Sequence, residues 1–279
     1  MPELQGLANS MDRNVSVVLK PKEPVGYRKI CKPSFRLKRV QRLINQQILQ
    51  RVPLPPFLHG AVKGKSTKAL AQKHMGKPFV LTVDIKDFYP NIHYTKIFDI
   101  FCKMGCSDNV ASLLTKLCSF DGCLAQGFPT SSSLANLTLS RLAPRLEGIE
   151  RQHQIKIDSW QDDLIISGGY RIPKLFSLLK RVMRQEGFVL HVGEKKKEMP
   201  RSRRQEAVGH IVNHKVNISK EYYRNLRKLI HLCKVKGIED MAGDMPVEKF
   251  RKSLLGRIQY VAEVNPERGE KLLIAFESL

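Results

Sequence analysis

The sequence lacks any hydrophobic run of the length that spans a membrane. Its first residues, MPELQGLANSMDRNV, have neither the charged start nor the apolar core of a signal peptide. These two absences exclude membrane-embedded and secreted classes of protein. We therefore expect a cytoplasmic protein that has no membrane partner.

The cysteines are not spaced as the ligands of a structural metal site are. No two cysteines form a CxxC pair, and no histidine follows at zinc-finger spacing. A structural zinc site is therefore not indicated, and we expect reduced, mostly buried thiols. The cysteines are Cys31, Cys102, Cys106, Cys118, Cys123 and Cys233.

Acidic residues are scarce relative to basic ones. The 279 residues contain 26 Asp and Glu against 48 Lys and Arg, which gives a formal charge of +22. An excess of this size predicts a polyanionic partner, most often a nucleic acid. The alternative is a basic, solvated surface, and the length allows one large domain with subdomains or two small domains.

Two adjacent aspartates interrupt the stretch IKIDSWQDDLIIS. Asp162 and Asp163 stand between an alternating run and an apolar run, a pattern that predicts a strand, a tight turn and a second strand. Carboxylates this close raise each other's cost of ionisation unless cations or solvent compensate. The pair is therefore either a solvated turn or part of a metal site.

A third aspartate follows another apolar run. Phe79–Val83 predicts a buried strand that ends at Asp84, and Phe88 and Tyr89 come shortly after it. A two-metal phosphoryl-transfer site needs carboxylates from separate segments. Asp84 could complete such a site if its strand lies beside the Asp162 hairpin.

Periodicity predicts an α+β protein. Strands and helices alternate up to about residue 215, and only helical patterns follow. We expect regular structure to begin near Tyr27, an amphipathic helix over Phe35–Leu54 and a strand over Phe188–Val192. Residues 194–204 read as a basic turn.

The order of these parts resembles the reverse transcriptases of bacterial retrons and group II introns. The shared sequence is a strand ending in Asp84-x-x-x-Phe88-Tyr89, then Gln126-Gly127 before a Ser-rich helix, then Gln161-Asp162-Asp163 in a hairpin. The resemblance implies a right-hand polymerase fold with fingers, an antiparallel-sheet palm and a helical thumb. It divides the chain into an N-terminal arm (1–26), fingers (27–78), palm (79–215) and thumb (216–279).

The resemblance also implies roles for single residues. Asp84, Asp162 and Asp163 would be catalytic and would bind two Mg²⁺ ions together with the backbone carbonyl of Ile85. Tyr89 would exclude ribonucleotides sterically. The other nucleotide-binding residues would be Lys63, Lys65, Gln126, Gly127 and Lys195, with Lys196 and Lys197 as alternatives to Lys195, and the primer grip would be Gly209, Val212 and Asn213.

A retron enzyme uses a structured non-coding RNA as template and primer, starts DNA from an internal guanosine 2′-OH, and makes a branched RNA-DNA hybrid from dNTPs. The implied role is phage defence with a separate effector protein. Three alternatives stay open: a non-retron defence polymerase, an untemplated or RNA-making polymerase, and a non-catalytic RNA-binding protein on the same scaffold. Trp160 and Gln161 replace the family's usual Tyr-Ala before the two aspartates, and we expect them to contact the primer end or the incoming nucleotide.

Overall fold

The computed structural model describes residues 2–21, 26–169 and 172–279. The chain divides into two compact units, each described separately below. The first unit comprises Met1–Ser66 and Leu81–Glu198, and the second comprises Thr67–Val80 and Met199–Leu279.

Helices and strands alternate in the first two thirds of the chain, as the sequence predicts. The strands are β1 (Val15–Pro21), β2 (Tyr27–Pro33), β3 (Phe79–Asp84), β4 (Ser119–Phe120), β5 (Cys123–Leu124), β6 (Lys156–Trp160), β7 (Asp163–Gly168), β8 (Lys196–Pro200), β9 (Glu206–Ala207) and β10 (His210–Ile211). The helices are α1 (Pro2–Asn9), α2 (Met11–Asn14), α3 (Phe35–Gln47), α4 (Thr67–Lys73), α5 (Tyr94–Lys103), α6 (Asp108–Cys118), α7 (Ser131–Leu139), α8 (Ala143–His153), α9 (Ile172–Gln185), α10 (Lys220–Lys236), α11 (Ile238–Ala242), α12 (Val247–Val264) and α13 (Pro266–Glu277).

Regular structure begins before Tyr27, which corrects the expectation from the sequence. Two short helices precede β1, and β1 pairs antiparallel with β2 from Val15 opposite Pro33 to Pro21 opposite Tyr27. The hairpin was missed because β1 is mostly exposed and prolines and lysines surround it, so it has no apolar alternation. Residues 22–25, part of the predicted arm, lie outside the described ranges.

Helix α3 is shorter than predicted. It ends at Gln47, and a single 3-10 turn, Leu49–Arg51, leads to the prolines. The buried face includes Gln41, whose Nε2 donates a hydrogen bond of 2.8 Å to the carbonyl of Leu117. The spacing of apolar residues could not predict that Gln41 is buried, because the carbonyl that accepts its hydrogen bond belongs to a helix distant in sequence.

The largest sheet among the described residues has four strands in the order β6-β7-β3-β8. In the predicted hairpin, β6 and β7 pair antiparallel from Lys156 opposite Ser167 to Trp160 opposite Asp163. The apolar residues Leu164–Ile166 of β7 are buried. Since β3 lies next to β7, the strand that ends at Asp84 is beside the hairpin, as a shared site requires.

The fourth strand lies where the sequence predicted a turn. Phe188–Val192 contains a single β-bridge, between Leu190 and Ile85, and β8 occupies Lys196–Pro200 instead. An edge strand can carry lysine and glutamate on its open side, and only Met199 of β8 is buried. The charged residues of β8 therefore give it no apolar pattern from which a strand could be predicted.

The second unit is mainly helical, as predicted. Tight packing is visible at Gly269, where an added Cβ would lie 2.2 Å from the Cα of Ala262, so α13 approaches α12 closely. The short β9 and β10 form a hairpin whose turn holds Val208 and Gly209 at positive φ. The buried core of the helices consists of Ile218, Leu226, Ile230, Cys233, Ile238, Leu254, Ile258, Val261, Val264, Leu272 and Phe276.

Candidate active site

A cavity of about 480 Å³ in the first unit is lined by six of the thirteen predicted site residues, and Asp163 is not one of the six. The backbone N–H of Ile85 donates a 2.8 Å hydrogen bond to the carbonyl of Asp162, which joins the end of β3 to the hairpin turn. Asp84 and Asp162 are therefore neighbours, although 77 residues separate them in the sequence. Predicted residues that line the cavity are Asp84, Ile85, Tyr89, Gln126, Asp162 and Lys195.

The carboxylates at the hairpin are crowded. Burial, followed by the charge of Asp84, raises the pKa of Asp162. Asp163 opens β7 and is partly exposed, yet desolvation of its carboxyl and the charges of Asp162 and Asp84 raise its pKa to about 6. Such crowding favours a bound cation, since a nearby positive charge stabilises the ionised forms.

Asp84 contacts basic side chains. Its Oδ2 lies 3.1 Å from Lys195 Nζ and 3.2 Å from His191 Nε2. Lys195 was one of three candidate lysines: Lys196 lies over the Phe176 ring at 4.1 Å, whereas Lys195 lines the cavity. The cavity thus favours Lys195 over Lys196, and the role of Lys195 in the reaction stays a prediction.

A preformed metal site is not seen. In the part of the chain that the structure describes, no three His, Cys, Asp or Glu side chains are grouped to hold an ion. The donor chemistry nevertheless fits magnesium, because Asp84 and Asp162 supply carboxylate oxygens to one cavity. Magnesium is commonly held by one or two carboxylates, with water and substrate phosphates completing its shell.

Tyr89 lies in the same cavity, half-buried. Its hydroxyl donates a 2.8 Å hydrogen bond to Gln161 Oε1, and Ser132 Oγ is 3.4 Å away. Burial raises the pKa of Tyr89. The phenol is consequently a neutral donor at physiological pH.

Gln126 and Gly127 lie against β2. The N–H of Cys31 donates a 2.8 Å hydrogen bond to the carbonyl of Gln126. Gly127 has φ +116°, and an added Cβ would lie 2.5 Å from the carbonyl oxygen of Cys31. Glycine is required here by both the backbone conformation and this close approach.

Lys63 and Lys65 do not line the main cavity. Lys65 Nζ donates to the carbonyls of Leu58 at 2.6 Å and Pro56 at 3.1 Å. Both lysines line a smaller cavity of about 210 Å³ together with Ser133 and Asn136. Their assignment to the triphosphate stays a prediction.

The predicted primer-grip residues belong to the second unit. Gly209 is in the β9–β10 turn with φ +80°, and the carbonyl of buried Val212 accepts a 2.9 Å hydrogen bond from Gly76 N–H. Asn213 Oδ1 accepts from Gln205 N–H at 2.8 Å, and its Nδ2 donates to the carbonyl of Arg203. These bonds give the segment a defined shape, while its contact with a primer stays a prediction.

Sequence reasoning did not identify Arg28 or His191 as neighbours of the aspartates. Arg28 lines it from β2 and contributes to the potential at Asp162. Neither Arg28 nor His191 belongs to a motif, and only the fold brings them to the site. Gln161, which replaces the family's usual alanine immediately before Asp162, also lines the cavity, and its contact with the primer end or the incoming nucleotide stays a prediction.

Comparison with solved structures defines the class of fold. A telomerase from Candida albicans, in complex with a fragment of telomeric RNA, aligns over 97% of this chain and 64% of its own, with a TM-score of 0.56 and 11% identity. A foamy viral protease-reverse transcriptase aligns over 93% of this chain and 40% of its own, with a TM-score of 0.50 and 12% identity. The fold is the right-hand fold of polymerases, as the sequence predicted.

Sequence comparison then gives the family. Residues 18–209 match the family described as reverse transcriptase (RNA-dependent DNA polymerase). The retron Ec86 reverse transcriptase of Escherichia coli is 32% identical over 88% of this chain and 79% of its own. The chain belongs to the reverse transcriptase family and, within it, to the retron type.

A second retron relative matches most of this chain but is itself matched over less of its length. The retron Mx65 reverse transcriptase of Myxococcus xanthus is 31% identical over 90% of this chain, which spans 62% of that relative's length.

Among the described residues, no helix is both long and apolar enough to cross a membrane. The cytoplasmic location stays a prediction.

Proposed function

We propose that this chain is an RNA-directed DNA polymerase that adds deoxynucleotides to a primer on an RNA template. The observation that carries the proposal is the meeting of Asp84 and Asp162 in one cavity, which Tyr89 and Gln126 also line. Membership of the reverse transcriptase family supports it. The net charge of +22 suits a protein that holds nucleic acid.

Within this proposal, Asp84, Asp162 and Asp163 hold two Mg²⁺ ions, with the carbonyl of Ile85 as a further oxygen donor. When bound, the ions supply a lowered pKa for the attacking 3′-hydroxyl and positive charge for the leaving oxygen. The raised pKa values of Asp162 and Asp163 support this role, since both carboxyls gain from a cation. Catalysis then rests on positioning and charge stabilisation.

The other residues bind and orient the substrates. Lys195 stabilises the charge that develops on the pyrophosphate and can donate a proton to it, and Gln126 and Gly127 contact the incoming nucleotide and the template base. The ring of Tyr89 lies under the sugar and excludes a 2′-hydroxyl. We also assign Lys63 and Lys65 to the triphosphate, whose negative charge they offset.

The same proposal divides the chain into an N-terminal arm (1–26), fingers (27–78), palm (79–215) and thumb (216–279). Gly209, Val212 and Asn213 form the primer grip between palm and thumb. Basic residues of the thumb contact the duplex backbone without reading bases. The contacts of this region are therefore expected to be independent of sequence.

The template in this proposal is a structured non-coding RNA that also provides the primer, as in retrons. DNA synthesis starts at the 2′-hydroxyl of an internal guanosine and yields a branched RNA-DNA hybrid. The biological role is phage defence with a separate effector protein in the cytoplasm. Similarity to two retron enzymes over most of this chain supports the retron assignment.

Primer extension tests the activity and the site together. Wild type is expected to extend a primer on an RNA template with dNTPs and Mg²⁺, and Asp162→Asn is expected to lose on the order of 10³-fold in rate. Asp244→Asn, in an exposed turn of the second unit, is the matched control and should retain wild-type rates. Extension that survives Asp162→Asn would overturn the site, and no extension by wild type on any template would favour a non-catalytic scaffold.

Sequencing of co-purifying nucleic acid tests the retron assignment. One abundant short structured RNA, joined to DNA when dNTPs are present in the cell, is the expected result. A heterogeneous population without a dominant RNA would favour a free-standing polymerase of another defence system.

A further inference from the structure

Gln161 makes two side-chain hydrogen bonds next to the candidate metal ligands. Its Nε2 donates to the carbonyl of Gly60 at 2.7 Å, and its Oε1 accepts from the Tyr89 hydroxyl at 2.8 Å. The amide orientation is determined by chemistry, because a carbonyl can only accept and therefore requires the NH₂ group. Oε1 is left to face the phenol.

The Gly60 end of this chain of bonds is held firmly. Asn136 Nδ2 donates to the same Gly60 carbonyl at 2.9 Å, and His59 N–H donates to the carbonyl of Ser159 at 2.9 Å. An added Cβ at Gly60 would lie 2.6 Å from the backbone nitrogen of Gln161, so the loop touches the hairpin turn directly. Gln161 thus connects the Tyr89 hydroxyl to a backbone that cannot shift independently.

The backbone of Gln161 is constrained as well. It occupies the two-residue turn between β6 and β7 with φ +57°, a conformation that non-glycine residues adopt at a cost. Ser159 Oγ donates a 2.8 Å hydrogen bond to the Gln161 carbonyl. Glycine or asparagine would adopt this conformation more easily, but glycine has no amide side chain and that of asparagine is one methylene shorter.

We propose that Gln161 is a positioning residue that fixes the ring of Tyr89 in the nucleotide cavity and thereby sets the discrimination between deoxyribonucleotides and ribonucleotides. The inference rests on the proposed function. Steric exclusion of one hydroxyl depends on ring displacements of about 1 Å. A phenol bonded at its far end to Gln161 has less freedom to swing away than an unbonded ring.

The rival explanation is that Gln161 only stabilises the hairpin turn. The two explanations differ in what a substitution does to selectivity. A loosened turn would displace Asp162 and slow incorporation of both kinds of nucleotide equally. A released Tyr89 ring would admit ribonucleotides and leave deoxynucleotide incorporation less affected, so the ratio of kcat/KM values would fall.

The test is a double-mutant cycle on single-nucleotide incorporation into a preformed RNA template and DNA primer. Gln161→Met keeps the length of the side chain without its hydrogen bonds, and Tyr89→Phe keeps the ring without the hydroxyl. Each is expected to lower the ratio of kcat/KM for dNTP over rNTP about tenfold, the equivalent of one neutral hydrogen bond. Because both remove the same bond, the double variant should lose no more than either single variant.

Gln152→Met, on the exposed side of α8, is the matched control and should retain the wild-type ratio. An unchanged ratio in Gln161→Met, or additive losses in the double variant, would overturn the inference while leaving the polymerase assignment intact. A wild type that incorporates neither nucleotide would overturn both. If Gln161→Met fails to fold, Tyr89→Phe decides alone: a tenfold loss supports the inference, and an unchanged ratio overturns it.

Discussion

The candidate active site and the helical core of the second unit differ in how their residues contribute to stability. The active site contains crowded carboxylates and a positive φ at Gln161, features that each cost free energy. The core of the second unit is formed by apolar residues such as Leu226, Leu254 and Ile258, which are almost fully buried. The active site therefore lowers the stability of the fold, and the apolar core of the second unit raises it. Four variants test this contrast.

The largest effect is expected in the helical core. Leu254→Ala should lower the free energy of unfolding by about 2–5 kcal/mol, because it removes buried apolar surface and leaves a cavity. Leu273→Ala, at a 36% exposed position of α13, is the control and should change it by about 0.5 kcal/mol or less. Denaturant unfolding measures both, and equal losses would contradict a packed core at Leu254.

The next effect is expected at Gly127, which follows the cavity residue Gln126. Gly127→Ala should cost about 2–3 kcal/mol, since the new Cβ meets the Cys31 carbonyl and φ is positive. Gly148→Ala should instead gain about 0.5–1 kcal/mol, because it lies within α8 with open space around it. Thermal unfolding tests whether the two substitutions change stability in opposite directions. An unchanged stability in Gly127→Ala would show that the backbone at Cys31 can move to accommodate the new Cβ.

A smaller effect should reveal the cost of the crowded carboxylates. The folded-state pKa of Asp163, about 6, lies above its ordinary value of 3.8, so the folded protein holds this proton more tightly than the unfolded chain. Stability must therefore fall as pH rises from about 4 to 6. Asp163→Asn removes this loss and should be more stable than wild type at pH 7.5 by about 1 kcal/mol, discounted for the partial exposure of the side chain.

Unfolding in EDTA at pH 5 and pH 7.5 checks this prediction. The advantage of Asp163→Asn should be larger at the higher pH, and addition of Mg²⁺ should stabilise wild type more than the variant. An advantage that stays constant across this range would mean that the Asp163 carboxyl is not perturbed.

The smallest effect is expected on the surface of the second unit. Arg227 and Lys228 are exposed on α10 and line a basic groove together with Lys234 and Lys271. Each phosphate contact that is lost should reduce the logarithmic salt slope of RNA binding by about 0.7–0.9. Arg227→Gln with Lys228→Gln should thus flatten the slope without lowering stability, whereas Lys103→Gln in the first unit should not, and an unchanged slope would exclude this groove from RNA binding.

The sequence predicted the parts of the fold whose patterns are local. The hairpin with Asp162, the strand ending at Asp84 and the helices after residue 215 all lie where periodicity predicts them. The strands β1 and β8 were not predicted, because they carry charged or exposed residues and so lack apolar alternation. Their positions depend on pairing with distant strands.

The candidate site shows the same division. Asp84, Asp162 and Tyr89 belong to motifs, and the structure brings them to one cavity. Arg28 reaches that cavity, and His191 reaches the Asp84 carboxylate, only through tertiary structure, and nothing in their local sequence marks them. Lys65 illustrates the reverse case: the family resemblance assigns it to the triphosphate, whereas in the structure its ammonium group donates to the carbonyls of Pro56 and Leu58.

The hydrogen bond from Cys31 to Gln126 has a consequence for the order of folding. It closes a loop of roughly a third of the chain, and such closure costs conformational entropy that local contacts do not. The hairpin of β6 and β7 can form early because its strands are joined by two residues. The part of the cavity wall that depends on β2 meeting Gly127 should therefore be completed after this hairpin has formed.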